Sequence, residues 1–541
     1  MSAGRISRYW HTLRWLRPVQ FYGRVWFRLW RPRPDLSSAP PLRAPSAAWQ
    51  RCARQASLTG PRSMRFLGVE RELANGGDWN HSDWPKLWLY NAHYFDDLAA
   101  TDASERVQWH RDLIQRWVAE NPPGHGNGWE PYPSSLRIVN WIKWTLGGNG
   151  LEPGAVHSLA VQVRYLRRRL EIHLLGNHLW ANAKALVFAG AFFDGREAAR
   201  WLGKGAALLE RELEEQFLPD GGHFERSPMY HAILLEDVLD LLQLDRTFPG
   251  ALPASLVSRL RERAGPMLRW LRVMTHPDGD IALFNDAAFG IAPRLEALEE
   301  YAQALGVEWN AGRLATLELL PDSGYVRMTA GPAVLIADVG PVGPDYLPGH
   351  AHADTLSFEL SLHGERVLVN GGTSTYDAGP LRLRQRGTAM HNTVEVDGQD
   401  SSEVWSSFRV ARRARPRDVR WEQHEGALVL EAAHDGYWRL PGKVIHSRRW
   451  ELGEQGLAVV DVMSGTIQEA VARFRLAPGL EAQVDSGVLA GEGLRVDWRT
   501  YDATAQVVPG AWYPRFGEEF ACQVLECSTA KAVMTTEFSW A

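Results

Sequence analysis

Residues 349–360 read GHAHADTLSFEL. Two histidines and an aspartate alternate with small residues and run directly into an alternating apolar segment. Imidazole and carboxylate groups at the mouth of a buried strand suit proton transfer or metal binding, whereas a solvent-facing loop has no need of them. Three other stretches carry side chains of the same kind. GNHLWANAKAL at 176–186 sets Asn177, His178 and Asn182 among bulky apolar residues. Buried polar groups need partners, so this stretch is expected to border a cleft. GGHFERSPMYH at 221–231 carries His223, Glu225, Arg226, Tyr230 and His231 just after a loop, and in RLRQRGTAMHNTVEVDGQ at 382–399 three arginines (Arg382, Arg384, Arg386) precede His391 and Asn392.

The elements that must position these groups change character along the chain. From about residue 85 to 310 the apolar spacing is helical; in GREAARWLGKGAALLERELEEQF, Leu209, Leu213 and Phe217 recur four residues apart, with charges opposite. The loops LPDGG at 218–222 and HPDGD at 276–280 share a PDG tripeptide, each after a helical stretch and before a polar, aromatic one. Stacked helical hairpins with their loops at one end are expected. From about residue 322 the period becomes two. TLSFELSL puts Leu356, Phe358, Leu360 and Leu362 on one strand face, and AVLIADV, ALVLEAA, LAVVDV and ARFRLA read as further strands of a large antiparallel β-sandwich. Extended backwards, the same parity would set His350, His352 and Asp354 on that face. The predicted organisation is a basic, aromatic N-terminal helix with an irregular linker over 1–84, a helical domain over 85–315 and the sandwich over 322–541.

Composition narrows the partners. A net charge of −5 gives no case for nucleic-acid binding. Three cysteines cannot build a disulfide framework. The 24 tryptophans either stack on sugar faces or fill a core. WEPYPSSLRIVNW offers Trp129, Tyr132, Arg137 and Asn140, and LWLYNAHYFDDL offers Tyr90, Asn91 and His93, as sugar contacts or as core; HDGY at 434–437 is a cleft rim or a plain turn. The N-terminal segment MSAGRISRYWHTLRWLRPVQFYGRVWFRLWRPRP lacks a continuous apolar stretch and has no recognisable signal peptide. It reads as an amphipathic helix packed on the body, or alternatively as a helix lying on a membrane surface.

NHLWANAKAL, ERSPMYH, GHAHADTLSFEL and HNTVEVDG, with WEPYPSSLRIVNW and LWLYNAHYFDDL, together resemble the heparinase II/III family of polysaccharide lyases over roughly residues 85–440. The resemblance implies an α + β multidomain protein, an incomplete (α/α) toroid followed by an antiparallel β-sandwich. It implies β-elimination on a uronic-acid polysaccharide, such as an exopolysaccharide of the bacterial envelope or periplasm. In this sequence Tyr230 would be the proton-transfer tyrosine, His350 the second acid/base, and Asn177 with His178 the neutralisers of the substrate carboxylate. A tyrosine base needs nearby positive charge, and Arg226 and Arg386 are candidates to pair with the tyrosinate or to bind the substrate carboxylate. The resemblance also implies one zinc ion, held by His352, residue 370 and His391. Residue 370 is Asn where an aspartate is expected. Either Asp354 or water completes the site, or the three side chains form a metal-free hydrogen-bonded cluster. Two other functions stay open: a glycoside hydrolase using Glu225 and Asp286 as paired carboxylates, and a non-catalytic polysaccharide-binding or assembly protein. The partners expected are an anionic polysaccharide and, through the N-terminus, a membrane surface or export machinery.

Overall fold

A computed structural model describes residues 3–50, 52–424 and 426–541. Two helices come first, α1 (Ala3–Leu13) and α2 (Pro18–Leu29), followed by an irregular segment and a short hairpin, Ser63–Phe66 with Val69–Glu72. The helical body follows: α3 (Lys86–Tyr94), α4 (Val107–Glu120), α5 (Pro131–Leu146), α6 (Pro153–Arg168), α7 (Gly176–Phe192), α8 (Arg196–Gln216), α9 (Pro228–Thr247), α10 (Ala254–Val273) and α11 (Leu295–Ala304). Proline stands in the first turn of α2, α5, α6 and α9, where its missing N–H has no partner to lose.

Helix α7 is the hub. It is buried on nearly every side, so its sequence reads as apolar all round rather than as a stripe. It packs closely on α8 because two glycines permit it. A β-carbon on Gly190 would sit 2.5 Å from the Leu202 nitrogen, and one on Gly205 2.8 Å from the Ala183 carbonyl. Trp79, Trp88, Trp117, Trp141, Trp180 and Trp201 fill the surrounding core. These helical hairpins form the incomplete toroid.

Strands begin at Leu317. Five consecutive antiparallel strands (Leu317–Leu320, Tyr325–Ala330, Ala333–Asp338, Phe358–Leu362, Glu365–Leu368) make the first sheet, an eight-stranded and a four-stranded sheet follow, and the three build the β-sandwich. The central strands Ala333–Asp338 and Phe358–Leu362 are buried throughout, because the first sheet is covered on both faces. Leu335, Phe358 and Leu360 point into the sandwich core, while Val334 and Ile336 pack on Trp270, Val273 and Phe284 of the toroid. The toroid and sandwich therefore share an apolar seam. Helix α12 (Pro380–Arg386) lies between strands of the sandwich.

The parity drawn back from Leu356 does not hold. Residues 349–357 form turns, and Leu356 has φ +63°, so the alternation breaks before the histidines. His350 faces the cleft, while His352 and Asp354 are buried behind it.

Candidate active site

A cleft of about 1500 Å³ opens between the toroid and the sandwich, and its walls include Asn177, His178, Tyr230 and His350. Two helix starts supply the toroid side. Leu175 and Gly176 both have positive φ and turn the chain sharply into α7, leaving Asn177 and His178 on its first turn. Ser227 caps α9: its hydroxyl accepts from the Tyr230 backbone N–H (3.3 Å) and donates to the Asp286 carbonyl (2.6 Å). Tyr230 is thereby fixed in the first turn of α9. Helix N-termini carry positive partial charge, so both bias the wall toward an anion.

The two PDG loops serve this positioning. Each closes with an antiparallel bridge, Phe217 with His223 and Thr275 with Ile281. The segments that follow deliver Glu225 and Tyr230 from one loop, and Asp286 from the other.

His350 is held from the sandwich side. Its Nδ1 lies 2.9 Å from Asp286 Oδ2, which leaves Nε2 toward the cleft, 3.5 Å from Glu225 Oε2. Asp286 is fully buried and accepts a fork of two bonds from Arg382, one of them 2.7 Å from Nη2 to Oδ2, and a contact of 2.8 Å from His352 Nε2. Burial alone would raise the Asp286 carboxyl. The Arg382 guanidinium and the two imidazoles outweigh it and hold the group well below the usual carboxylate range. Asp286 is thus a fixed anion that orients His350.

The Tyr230 ring lies over the His350 ring, centroids 4.1 Å apart, and its hydroxyl is 3.1 Å from that of Tyr376. Burial first, and then the neighbouring Tyr376 hydroxyl, keep the Tyr230 phenol well above its ordinary pKa. Asn177 Nδ2 donates to Glu225 Oε1 at 3.3 Å. His178 Nδ1 lies 3.2 Å from Glu171 Oε1. Burial works against a charged His178 ring, but Glu171 and then Glu225 outweigh it, so its pKa is raised. Asn182 is buried rather than facing the cleft; its amide donates to Glu171 and Ser135 and so holds Glu171 under His178.

Tyr132, Asn140, Tyr90 and Asn91 line the cleft as expected. Four other candidates do not. Trp129 is packed against Trp117 and Tyr165, its indole N–H donating to the Asn121 carbonyl. Arg137 is fully buried, donates to the carbonyls of His93 and Gly128, and lies flat on Trp117. Both belong to the toroid core, as does His93. Arg226 turns away from Tyr230 and donates to the carbonyls of Ser323 and Asp322, tying the toroid to the sandwich. Arg386 donates to the Ala351 and Ser406 carbonyls and braces the loop that carries His350. None of the four has a path to substrate, because each satisfies backbone oxygens inside the fold. The tryptophans do not contact the cleft either: among the described residues its aromatic lining is tyrosine and phenylalanine. His434 and Tyr437 of HDGY are buried in the sandwich and form no rim. The carboxylate pair Glu225 and Asp286 is also overturned, since Asp286 sits behind His350, neutralised by Arg382, and does not line the cleft.

Tyr376, Glu171 and the role of Arg382 escaped the sequence reading. Tyr376 comes from GGTSTYDAGP after a strand, a glycine-rich exit that was the one local signal. Glu171 reaches His178 only through packing.

The residues fit a metal, with one change of ligand. His352, Asp354 and His391 each offer a ligand atom, all within 4.8 Å of one another. His352 Nδ1 and His391 Nε2 are buried and have no hydrogen-bond partner among the described residues. Burial keeps both rings neutral, as ligation requires. Asn370 stands behind His391: its Oδ1 accepts from His391 Nδ1 at 2.7 Å, a bond that would orient the ring for a metal on Nε2, with Asp354 as the third ligand.

Two family models match the chain, Heparinase II/III N-terminus over residues 155–306 and Heparinase II/III-like, C-terminal over residues 312–541. Between them they cover most of the sequence, and the chain belongs to the heparinase II/III family. Its relatives differ in what they are named for. FtsZ-localized protein C of Caulobacter vibrioides is 30% identical over 60% of this chain and 53% of its own length. A heparin-sulfate lyase of Pedobacter heparinus is 24% identical over 67% of this chain and 59% of its own. The chain thus spans a little over half the length of these relatives. In fold it matches the crystal structure of heparinase III with a TM-score of 0.69 at 19% identity, over 88% of this chain and 80% of the other.

Proposed function

We propose that the protein is a polysaccharide lyase that cleaves a uronate-containing chain by β-elimination. The observation that supports this most is the tilted Tyr230–His350 ring pair lining one cleft together with Asn177 and His178. Elimination needs a base for the C5 proton, an acid for the departing 4-oxygen, and neutralisation of the carboxylate whose enolate form develops between them. His350, with Nδ1 bound to Asp286, offers Nε2 as the base. The C5–H bond breaks and the proton passes to Nε2. The electron pair moves toward the carboxylate, where Asn177, His178 and the two helix N-termini stabilise it. The C4–O bond then breaks as the C4–C5 double bond forms, and Tyr230, a neutral phenol, protonates the leaving oxygen. The new imidazolium sits between Asp286 and Glu225.

Charge in the cleft favours a carboxylate polymer with little or no sulfate. Most basic residues on its walls are already paired: Arg54 with Glu236, Lys143 and Lys184 with Asp240, Arg413 with Asp345. Arg24 and Arg409 have no ion-pair partner among the described residues and are the candidates to hold a second uronate. A metal at His352, Asp354 and His391 would act as a brace, tying the His350 loop to the strand after His391.

The test is incubation with alginate, hyaluronan, polyglucuronate and heparan sulfate, read by the ultraviolet absorbance of a 4,5-unsaturated uronate. A signal lost in Tyr230→Phe supports the reading. New reducing ends without that absorbance would mean hydrolysis. Binding without cleavage would favour the second reading, a non-catalytic polysaccharide-binding protein, which draws on the Caulobacter relative's being named FtsZ-localized and not for a lyase activity.

A further inference from the structure

Helices α1 and α2 are packed the wrong way round for a globular protein. Their polar and small residues face inward. Thr12 Oγ1 accepts from the Trp405 indole N–H at 3.1 Å, Ser7 Oγ accepts from Arg412, and Gln20 donates to the Tyr346 carbonyl. Gly23 lies so close to His173 that a β-carbon there would come within 2.9 Å of it. The apolar residues face out. On α1 these include Ile6, Trp10 and Leu13, and on α2 Tyr22, Val25, Trp26 and Leu29, each set at helical spacing on one side. Trp10 is 64% exposed, Trp26 58% and Leu29 79%. Large apolar side chains in a contiguous exposed set mark an interaction surface.

Charge identifies the occupant. Residues 1–34 contain eight arginines and no acidic residue. Arg5, Arg8, Arg14, Arg28, Arg31 and Arg33 are exposed and have no carboxylate partner among the described residues. A second copy of this chain would bring the same cations against them. An anionic bilayer supplies both complements, acyl chains for the aromatic and aliphatic side chains and phosphates for the guanidiniums. Among the described residues no helix is long and apolar enough to cross a membrane, so the contact would be interfacial.

We infer that the outward faces of α1 and α2 dock the protein on an anionic lipid bilayer. The inner faces of the same helices line the cleft through Thr12, Gln20 and Arg24, and the turn between them through Leu16. Docking therefore holds the mouth of the cleft beside the lipid headgroups, within reach of polymer at the membrane surface.

The experiment is flotation of the full-length protein with phosphatidylcholine vesicles, with and without about one-third phosphatidylglycerol. The expected result is flotation with the anionic vesicles only, lost as salt is raised. A Trp10→Ser, Trp26→Ser, Leu29→Ser triple variant, changed only at exposed positions, should lose at least ten-fold in bound fraction while keeping the circular dichroism of the parent. No flotation, or flotation undiminished in the triple variant, would overturn the inference. So would a concentration-dependent dimer in sedimentation that the triple variant abolishes. No polysaccharide enters the assay, so its outcome is independent of the lyase reading.

Discussion

The two walls of the cleft are built by different means. The toroid wall presents Asn177, His178 and Tyr230 from the first turns of α7 and α9, and local devices, a positive-φ turn and a serine cap, set them in place. The sandwich wall presents His350 beside Tyr376 and rests it on a buried network that joins Asp286, from a toroid loop, to Arg382, His352 and the loop braced by Arg386. Asp286 divides its two oxygens, Oδ2 to the cleft histidine and Oδ1 to the buried one. The lesson is that a group held by local devices, such as the Tyr230 hydroxyl, can be lost cheaply, while Asp286 behind His350 cannot be lost without leaving the buried Arg382 charge unpaired.

Variants on the two walls should separate on that basis. Tyr230→Phe removes the proposed acid and only a single hydroxyl contact, to Tyr376. Initial rates of unsaturated-uronate formation should fall by about 10³-fold with the melting temperature nearly unchanged. Asp286→Asn should cost on both counts. It leaves the buried Arg382 guanidinium without its counter-charge, a loss of about 3–5 kcal/mol in urea unfolding, and it releases His350, lowering the rate about 10²-fold. If Asp286→Asn unfolded at the parental urea midpoint, the contrast between the walls would be wrong.

The core assignment of Trp129 gives a third contrast. Trp129→Ala should destabilise by about 3–5 kcal/mol and leave KM within two-fold of the parent, roughly the reverse of a sugar-stacking residue. His178 makes a pH prediction. Its raised pKa keeps the ring charged up to a higher pH than a free histidine, and the charge is lost as pH rises through the folded value. The rate should therefore decline on the alkaline side, and His178→Gln should lower it about 10-fold and flatten that decline. The smallest effect expected is at the metal cluster. Chelation should lower the melting temperature by a few degrees with modest loss of rate, and Asp354→Asn should reduce zinc content by elemental analysis more than Asn370→Ala does. Equal losses from both would return residue 370 to the ligand set.

The division of labour between sequence and fold follows the same line. The change from helical to alternating period and the polar residue types gathered at 176–186, 221–231 and 349–360 were legible because each depends on a few neighbouring residues. Arg137, Arg226 and Arg386 were misread because an arginine looks the same in sequence whether it meets a uronate or a backbone carbonyl. The tryptophans misled for a similar reason, since an indole fills a core as readily as it stacks on a sugar. The sequence by itself determined the two-part architecture and the residue types available for proton transfer. Only the tertiary structure decided that Asp286 stands behind His350, that Asn370 bonds to His391, and that α1 and α2 turn their apolar faces outward. Those outcomes rest on contacts between segments tens to hundreds of residues apart, where burial and charge pairing are settled together and no local pattern encodes the partner.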